Sequence, residues 1–126
     1  MAVLDNILYS ESHEWIKVDG NIAFIGISDF AQGELGDIVH VELAEADEKL
    51  IAGEPLGNLE AVKTVEDLIS PVTGVVLEVN SELFDSPELI NQSPYEDGWL
   101  VKIELENKDE LESLLTAEEY RKLIGE

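Results

Sequence analysis

Apolar residues recur at every second position in several short runs between residues 13 and 105, the period of half-buried strands. Val39, Val41 and Leu43 alternate with His40 and Glu42, which predicts a strand with those three side chains on its inner face. After the turn signal Pro71-Val72-Thr73-Gly74, the residues Val75, Leu77 and Val79 repeat the alternation. Val101, Ile103 and Leu105 do so again, against Lys102 and Glu104. Asp19-Gly20 stands between the runs His13–Val18 and Asn21–Ile27 and signals a two-residue hairpin turn. Together these runs predict a mainly β fold, a mostly antiparallel sandwich or flattened barrel.

Helices are secondary in this pattern. Ser28 is a predicted N-cap for a short helix over residues 29–35, with Gly36 as its stop. Two short helices are expected at the C-terminus. Leu111, Leu114 and Leu115 form the apolar stripe of the first, and Thr116 with Glu119 makes a capping box for the second, which ends near Gly125. Residues 80–99 are rich in Pro, Asn, Ser and Gly and read as one long ordered loop. No linker or tandem repeat divides the chain, so residues 1–126 are expected to form a single domain.

Composition narrows the function classes. The chain has no cysteine, which removes disulfides, thiolate metal sites and cysteine nucleophiles together. Seven basic residues stand against 29 acidic ones, for a net charge of −22. Such a surface repels phosphate backbones and anionic membranes, keeps a protein soluble and monomeric, and steers association with basic partners. The N-terminus lacks the basic start of a signal peptide and the arginines of a transit peptide. A bacterial cytoplasmic protein is expected, although a mature mitochondrial matrix protein has much the same composition.

Candidate chemistry converges on one residue. Lys63 stands alone in the run Gly57–Ile69, near the midpoint of two apolar-rich segments that read as the arms of a β-hairpin. A lysine at a hairpin tip holds a single amine clear of the surface on a long stem. Its neighbours Ala61, Val62, Thr64 and Val65 are small, and Glu60 and the pair Glu66-Asp67 frame it with acid, a fit for recognition by a modifying enzyme. On composition alone an ordinary surface lysine explains the same residues. His13 and His40 have no metal-type spacing, and no nucleophile elbow is present, so both read as structural or surface residues. Carboxylate pairs are expected by chance among 29 acids, and no metal site is read from them. Trp15 and Trp99 read as core. Ser10-Glu11-Ser12-His13-Glu14-Trp15, a dense polar run, reads on composition as a solvated edge.

Several blocks in order resemble the glycine cleavage H proteins, a family of lipoyl carriers. Tyr9-Ser10-Glu11-Ser12-His13-Glu14-Trp15 is similar to the family's N-terminal signature. Gly26–Gln32 and Leu35–Val39 resemble its next blocks, and Glu60-Ala61-Val62-Lys63-Thr64 resembles its lipoylation motif. Ser70–Gly74 and Asn91–Leu100 follow at the family's spacing. Ala61 stands where serine is common in that motif, and Thr64 where alanine is common. Biotin carriers share the hairpin-tip lysine, but they commonly flank it with methionine and lack the N-terminal block.

The resemblance implies a lipoyl/biotinyl-type β-sandwich, a flattened barrel-like hammerhead with short helices and a C-terminal helical segment. It implies lipoate in amide linkage to Lys63, with Glu60 in the motif that a lipoate ligase or octanoyltransferase recognises. The expected role is that of a shuttle rather than an enzyme. It takes an aminomethyl group from a pyridoxal-phosphate glycine decarboxylase to a tetrahydrofolate-dependent aminomethyltransferase, and presents the reduced arm to dihydrolipoamide dehydrogenase. The resemblance also implies that the loaded arm folds into a surface cleft where Ser12, Glu14 and Asp67 hold its amine. A lipoyl relay that donates lipoate to other acceptors is an alternative role for the same residues.

Overall fold

The protein is described by a computed structural model over residues 2–126. Among the described residues, nine strands form two open antiparallel sheets rather than one closed barrel. The larger sheet has six strands in the order β1 (Leu8–Tyr9), β2 (Glu14–Asp19), β3 (Ile22–Ile27), β9 (Val101–Leu105), β8 (Gly74–Val79) and β5 (Lys49–Leu50). The smaller has β4 (Ile38–Leu43), β6 (Pro55–Ala61) and β7 (Val65–Ile69). Ile16, Ala23, Ile25, Val76, Val101 and Ile103 of the first sheet share one buried cluster with Val41, Leu56, Leu59 and Leu68 of the second. That layer of apolar side chains is the expected inside of a sandwich.

The β2–β3 hairpin forms, with its turn one residue later than the Asp-Gly signal places it. Asp19 pairs with Ile22, so Gly20 and Asn21 are the turn residues, and Gly20 takes the positive φ of 64°. His13 falls outside the strand, also at positive φ. Opposite Trp15, Gly26 leaves space for the indole: a Cβ there would lie 2.5 Å from the ring. The indole N–H donates to the Pro94 carbonyl at 2.9 Å. Trp15 is buried as expected, and Trp99 is half-buried edge-on to Phe24.

Two expected inner faces are corrected, and each of the two strands carries a bulge. In β4 the register shifts between Ile38 and His40, so Ile38 and Val41 are buried while Val39 is exposed. In β8 the phase is opposite from the start, with Val76 buried and Val75 and Leu77 facing outward, and a shift between Val76 and Glu78 then returns Val79 toward the core. An extra residue reverses the side-chain phase beyond it. Strand β9 keeps the expected phase throughout.

The helix α1 (Asp29–Leu35) begins and ends as predicted. The Ser28 hydroxyl accepts from the Ala31 N–H, and Gly36 follows the last turn at φ 77°. Residues 80–99 are not one loop, since α2 (Glu82–Asp85) and α3 (Leu89–Gln92) each bury one apolar residue, Leu83 and Ile90. At the C-terminus the first predicted helix is a 3-10 turn over Lys108–Ser113, and Leu115 instead bridges to Tyr9. The second, α4 (Ala117–Leu123), carries the full Thr116/Glu119 capping box.

Candidate functional site

Strands β6 and β7 form the hairpin that the sequence predicted around Lys63. Glu60 pairs with Val65, and the Ala61 N–H donates to the Thr64 carbonyl at 2.8 Å, which closes a tight tip with Val62 and Lys63 at its crest. Val62, Lys63 and Thr64 are all exposed. A second bond, from the Val62 N–H to the Asp37 carbonyl at 3.2 Å, ties the tip to the segment after α1. Between tip and helix lies a recess of about 400 Å³ lined by Gly33, Glu34, Leu35, Gly36, Asp37, Val62 and Lys63.

Glu34 and Leu35 also line a second cleft, of about 250 Å³. Its apolar wall comprises Ile27, Ala31, Leu35, Leu59 and Leu68, and its polar lining comprises Ser12, His13, Glu14, Glu34, Glu66 and Asp67. Three elements that are distant in sequence meet here: the N-terminal polar run, α1 and β7.

Glu14 is the buried member of the set, only 2% exposed. Its Oε1 accepts from the Ser10 hydroxyl at 2.6 Å and the Ser12 hydroxyl at 2.5 Å, and its Oε2 accepts from the Ile69 N–H at 3.4 Å. Burial pushes its carboxyl above the usual carboxylate range, while the two serine hydroxyls pull it back. The polar run is therefore not a solvated edge throughout: Ser10 and Glu14 turn inward, and Glu11 and Ser12 stay exposed.

Asp67 is exposed on β7 and lines the cleft beside Glu66. Glu60 is exposed on β6 between His40 and Val65 and does not line it. Thus Ser12, Glu14 and Asp67 come together, whereas Lys63 sits at the mouth of the adjoining recess and Glu60 stands apart. His13 and Glu34 also reach the cleft, though the sequence reading gave neither a site role. The spacing of Ala31, Glu34 and Leu35 on one helix face was a usable signal for Glu34. The His13 ring is held by Tyr120, 107 positions away, a contact for which local sequence offers no signal.

The family model for the glycine cleavage H-protein matches residues 7–126. The glycine cleavage system H protein of Staphylococcus saprophyticus is 55% identical over 126 residues, covering all of both chains. That of Staphylococcus haemolyticus is 53% identical over the same length. This chain belongs to the glycine cleavage H-protein family. A solved structure agrees: the crystal structure of a glycine cleavage system H protein from Mycobacterium marinum superposes with a TM-score of 0.91 at 37% identity, covering 98% of this chain and 100% of that one.

As an H protein, the chain is a lipoyl-bearing shuttle of the glycine cleavage system, a carrier that performs none of the chemical steps itself. Its partners are enzymes of that system. No helix among the described residues is long and apolar enough to cross a membrane.

Proposed function

We propose that Lys63 is the residue that carries lipoate, and that the cleft beside it shelters the cargo end of the arm. The single observation that carries this reading is the shared wall. Glu34 and Leu35 border both the recess at Lys63 and the cleft at Glu14, so the surface leads from the tip to a buried carboxylate. The residues fit the group: an exposed amine for the amide bond, an apolar wall for a hydrocarbon arm, and carboxylates at the far end for an amine. When bound, lipoate supplies a dithiolane whose sulfur accepts the aminomethyl group.

The remaining roles belong to the protein. Glu14, partly desolvated, attracts a cation more strongly than an exposed carboxylate does, and Ser10 and Ser12 fix its orientation. Asp67 adds a second acid at the rim. Ile27, Ala31, Leu35, Leu59 and Leu68 exclude water from the space around the amine. Glu60, exposed one residue before the turn, is available to a lipoate ligase or octanoyltransferase. The partners are glycine decarboxylase, aminomethyltransferase and dihydrolipoamide dehydrogenase. The chain works as one carrier domain and as a monomer, kept apart from its copies by a net charge of −22. Its bacterial relatives support a cytoplasmic setting.

Two measurements test this. Intact mass after expression with lipoate is expected to show one lipoyl increment that Lys63→Ala abolishes; an increment that persists in the variant moves the attachment elsewhere. For the cleft, Glu14→Ala should be lipoylated normally but release ammonia faster from the isolated, aminomethyl-loaded carrier. Equal release from the two proteins would sink the cleft reading.

A further inference from the structure

One hydroxyl from the C-terminal helix joins two walls of the cleft. The phenol of Tyr120, on α4, lies 2.9 Å from Nδ1 of His13 and 2.6 Å from Oγ of Ser28. Ser28 is fully buried and caps α1, which supplies Ala31, Glu34 and Leu35 to the cleft. The His13 carbonyl also accepts from the Ser28 N–H at 2.9 Å. Tyr120 is itself fully buried and stacks on Tyr9, with ring centroids 4.2 Å apart and planes 4° from parallel.

Donor counting sets the direction of this chain. Ser28 Oγ already accepts from the Ala31 N–H, and its own proton needs a partner because the group is buried. That proton goes to the Tyr120 oxygen, so the Tyr120 proton goes to Nδ1 of His13. The reverse direction leaves the buried Ser28 proton without an acceptor. His13 is then a neutral ring with its hydrogen on Nε2, and among the described residues Nε2 makes no hydrogen bond.

We propose that Tyr120 is a positioning residue for the cleft: its hydroxyl holds His13 as a neutral ring and so keeps a second cation out of the space the cargo amine occupies. This rests on the reading of the cleft given above. The charged groups that line the cleft with the ring are Glu34 from α1, Glu14 next to it on β2, and Glu66 and Asp67 from β7, and of these Glu34 acts on the ring directly. All four are carboxylates, so a protonated His13 would compete with the amine for the same partners. Burial opposes that by lowering the His13 value, whereas Glu34 raises it. Burial also pushes the Tyr120 phenol up to about 12, so it stays protonated and able to donate. A hydrogen bond donated to the neutral ring acts in the same direction as burial.

Tyr120→Phe removes only the hydroxyl and keeps the stacked ring. Tyr9→Phe is the matched control, because the Tyr9 hydroxyl accepts from the Leu4 N–H at 2.8 Å, away from the cleft. In the unmodified protein, nitrogen NMR of the imidazole is expected to show hydrogen on Nε2, and a His13 titration midpoint that rises in Tyr120→Phe but not in Tyr9→Phe. In the isolated loaded carrier, Tyr120→Phe should release ammonia about fivefold faster, the factor that one hydrogen bond of ordinary net strength produces. The excess should grow as pH falls. His13→Asn, which suits the positive φ and does not titrate, should flatten that pH dependence. A Tyr120→Phe profile that coincides with Tyr9→Phe, or a pH dependence that survives in His13→Asn, overturns the inference. Glu14→Ala, run alongside, separates the failures. Fast release there with normal release in Tyr120→Phe defeats only the role of Tyr120, and normal release in both defeats the cleft reading as well.

Discussion

At the scale of single residues, Glu14 shows a conflict between stability and use. Its carboxyl is raised by burial, so the folded protein binds that proton more tightly than the unfolded chain does. The stabilising contribution of this linkage is fully present below the ordinary carboxylate value and is lost as pH rises through the folded value. At neutral pH the wild-type protein therefore carries the cost of a buried charge. Glu14→Gln removes that charge and keeps an oxygen that can accept from both serines. Its urea midpoint is expected to exceed that of the wild type at pH 7, and the gap should close as pH falls below the carboxylate range. A midpoint below the wild type at pH 7 would show that the hydrogen bonds to the charged form outweigh its desolvation. The same reasoning shows why composition misread this position. Charge and polarity placed Ser10–Trp15 at an edge, and only the inward turn of the Glu14 carboxylate brings it to the cleft.

At the scale of elements, the phase of β8 makes a prediction opposite to the one read from the sequence. Alternation from Val75 puts Leu77 inside, yet Val76 is fully buried and Leu77 is 43% exposed. Val76→Ala should cost about 2 kcal/mol through lost burial and a residual cavity, whereas Leu77→Ala should stay within about 0.5 kcal/mol. Urea unfolding with matched slopes measures both, and the reverse order would restore the phase read from the sequence. Local chemistry made other elements legible. The Ser28 cap with Gly36, and the Thr116/Glu119 box, rest on bonds that span a few residues, and both helices form where those signals stand. The hairpin tip at Lys63 was legible for the same reason, since it is set by β6 and β7, adjacent in sequence. Bulges, the two short helices after β8 and the reach of Tyr120 to His13 depend on partners far along the chain, which periodicity does not register.

At the scale of the whole molecule, charge acts on stability and association in opposite ways. Net charge is −22, and the ion pairs between oppositely charged side chains among the described residues include Lys49 with Glu106 at 3.0 Å and Arg121 with Asp5 at 2.6 Å. Both pairs involve well-exposed acids, and such surface pairs contribute little. Repulsion among 29 carboxylates therefore dominates the electrostatics of the folded state, where they are held closer together than in the unfolded chain. Adding salt shortens the screening length from about 30 Å at 0.01 M to about 10 Å at 0.1 M. The urea midpoint of the isolated carrier should consequently rise with sodium chloride over that range. The rate at which the carrier associates with an enzyme of its system should fall over the same range, because screening also removes long-range steering toward a basic docking face. The acylation proposed at Lys63 would replace a cation with a neutral amide, take the chain to one further unit of negative charge, and steepen both trends slightly. Unfolding in urea and stopped-flow binding at matched salt concentrations check the pair. A midpoint that falls with salt would mean the few attractive pairs outweigh the repulsion. An association rate indifferent to salt would mean the acid serves solubility alone and does not guide the carrier to its enzymes.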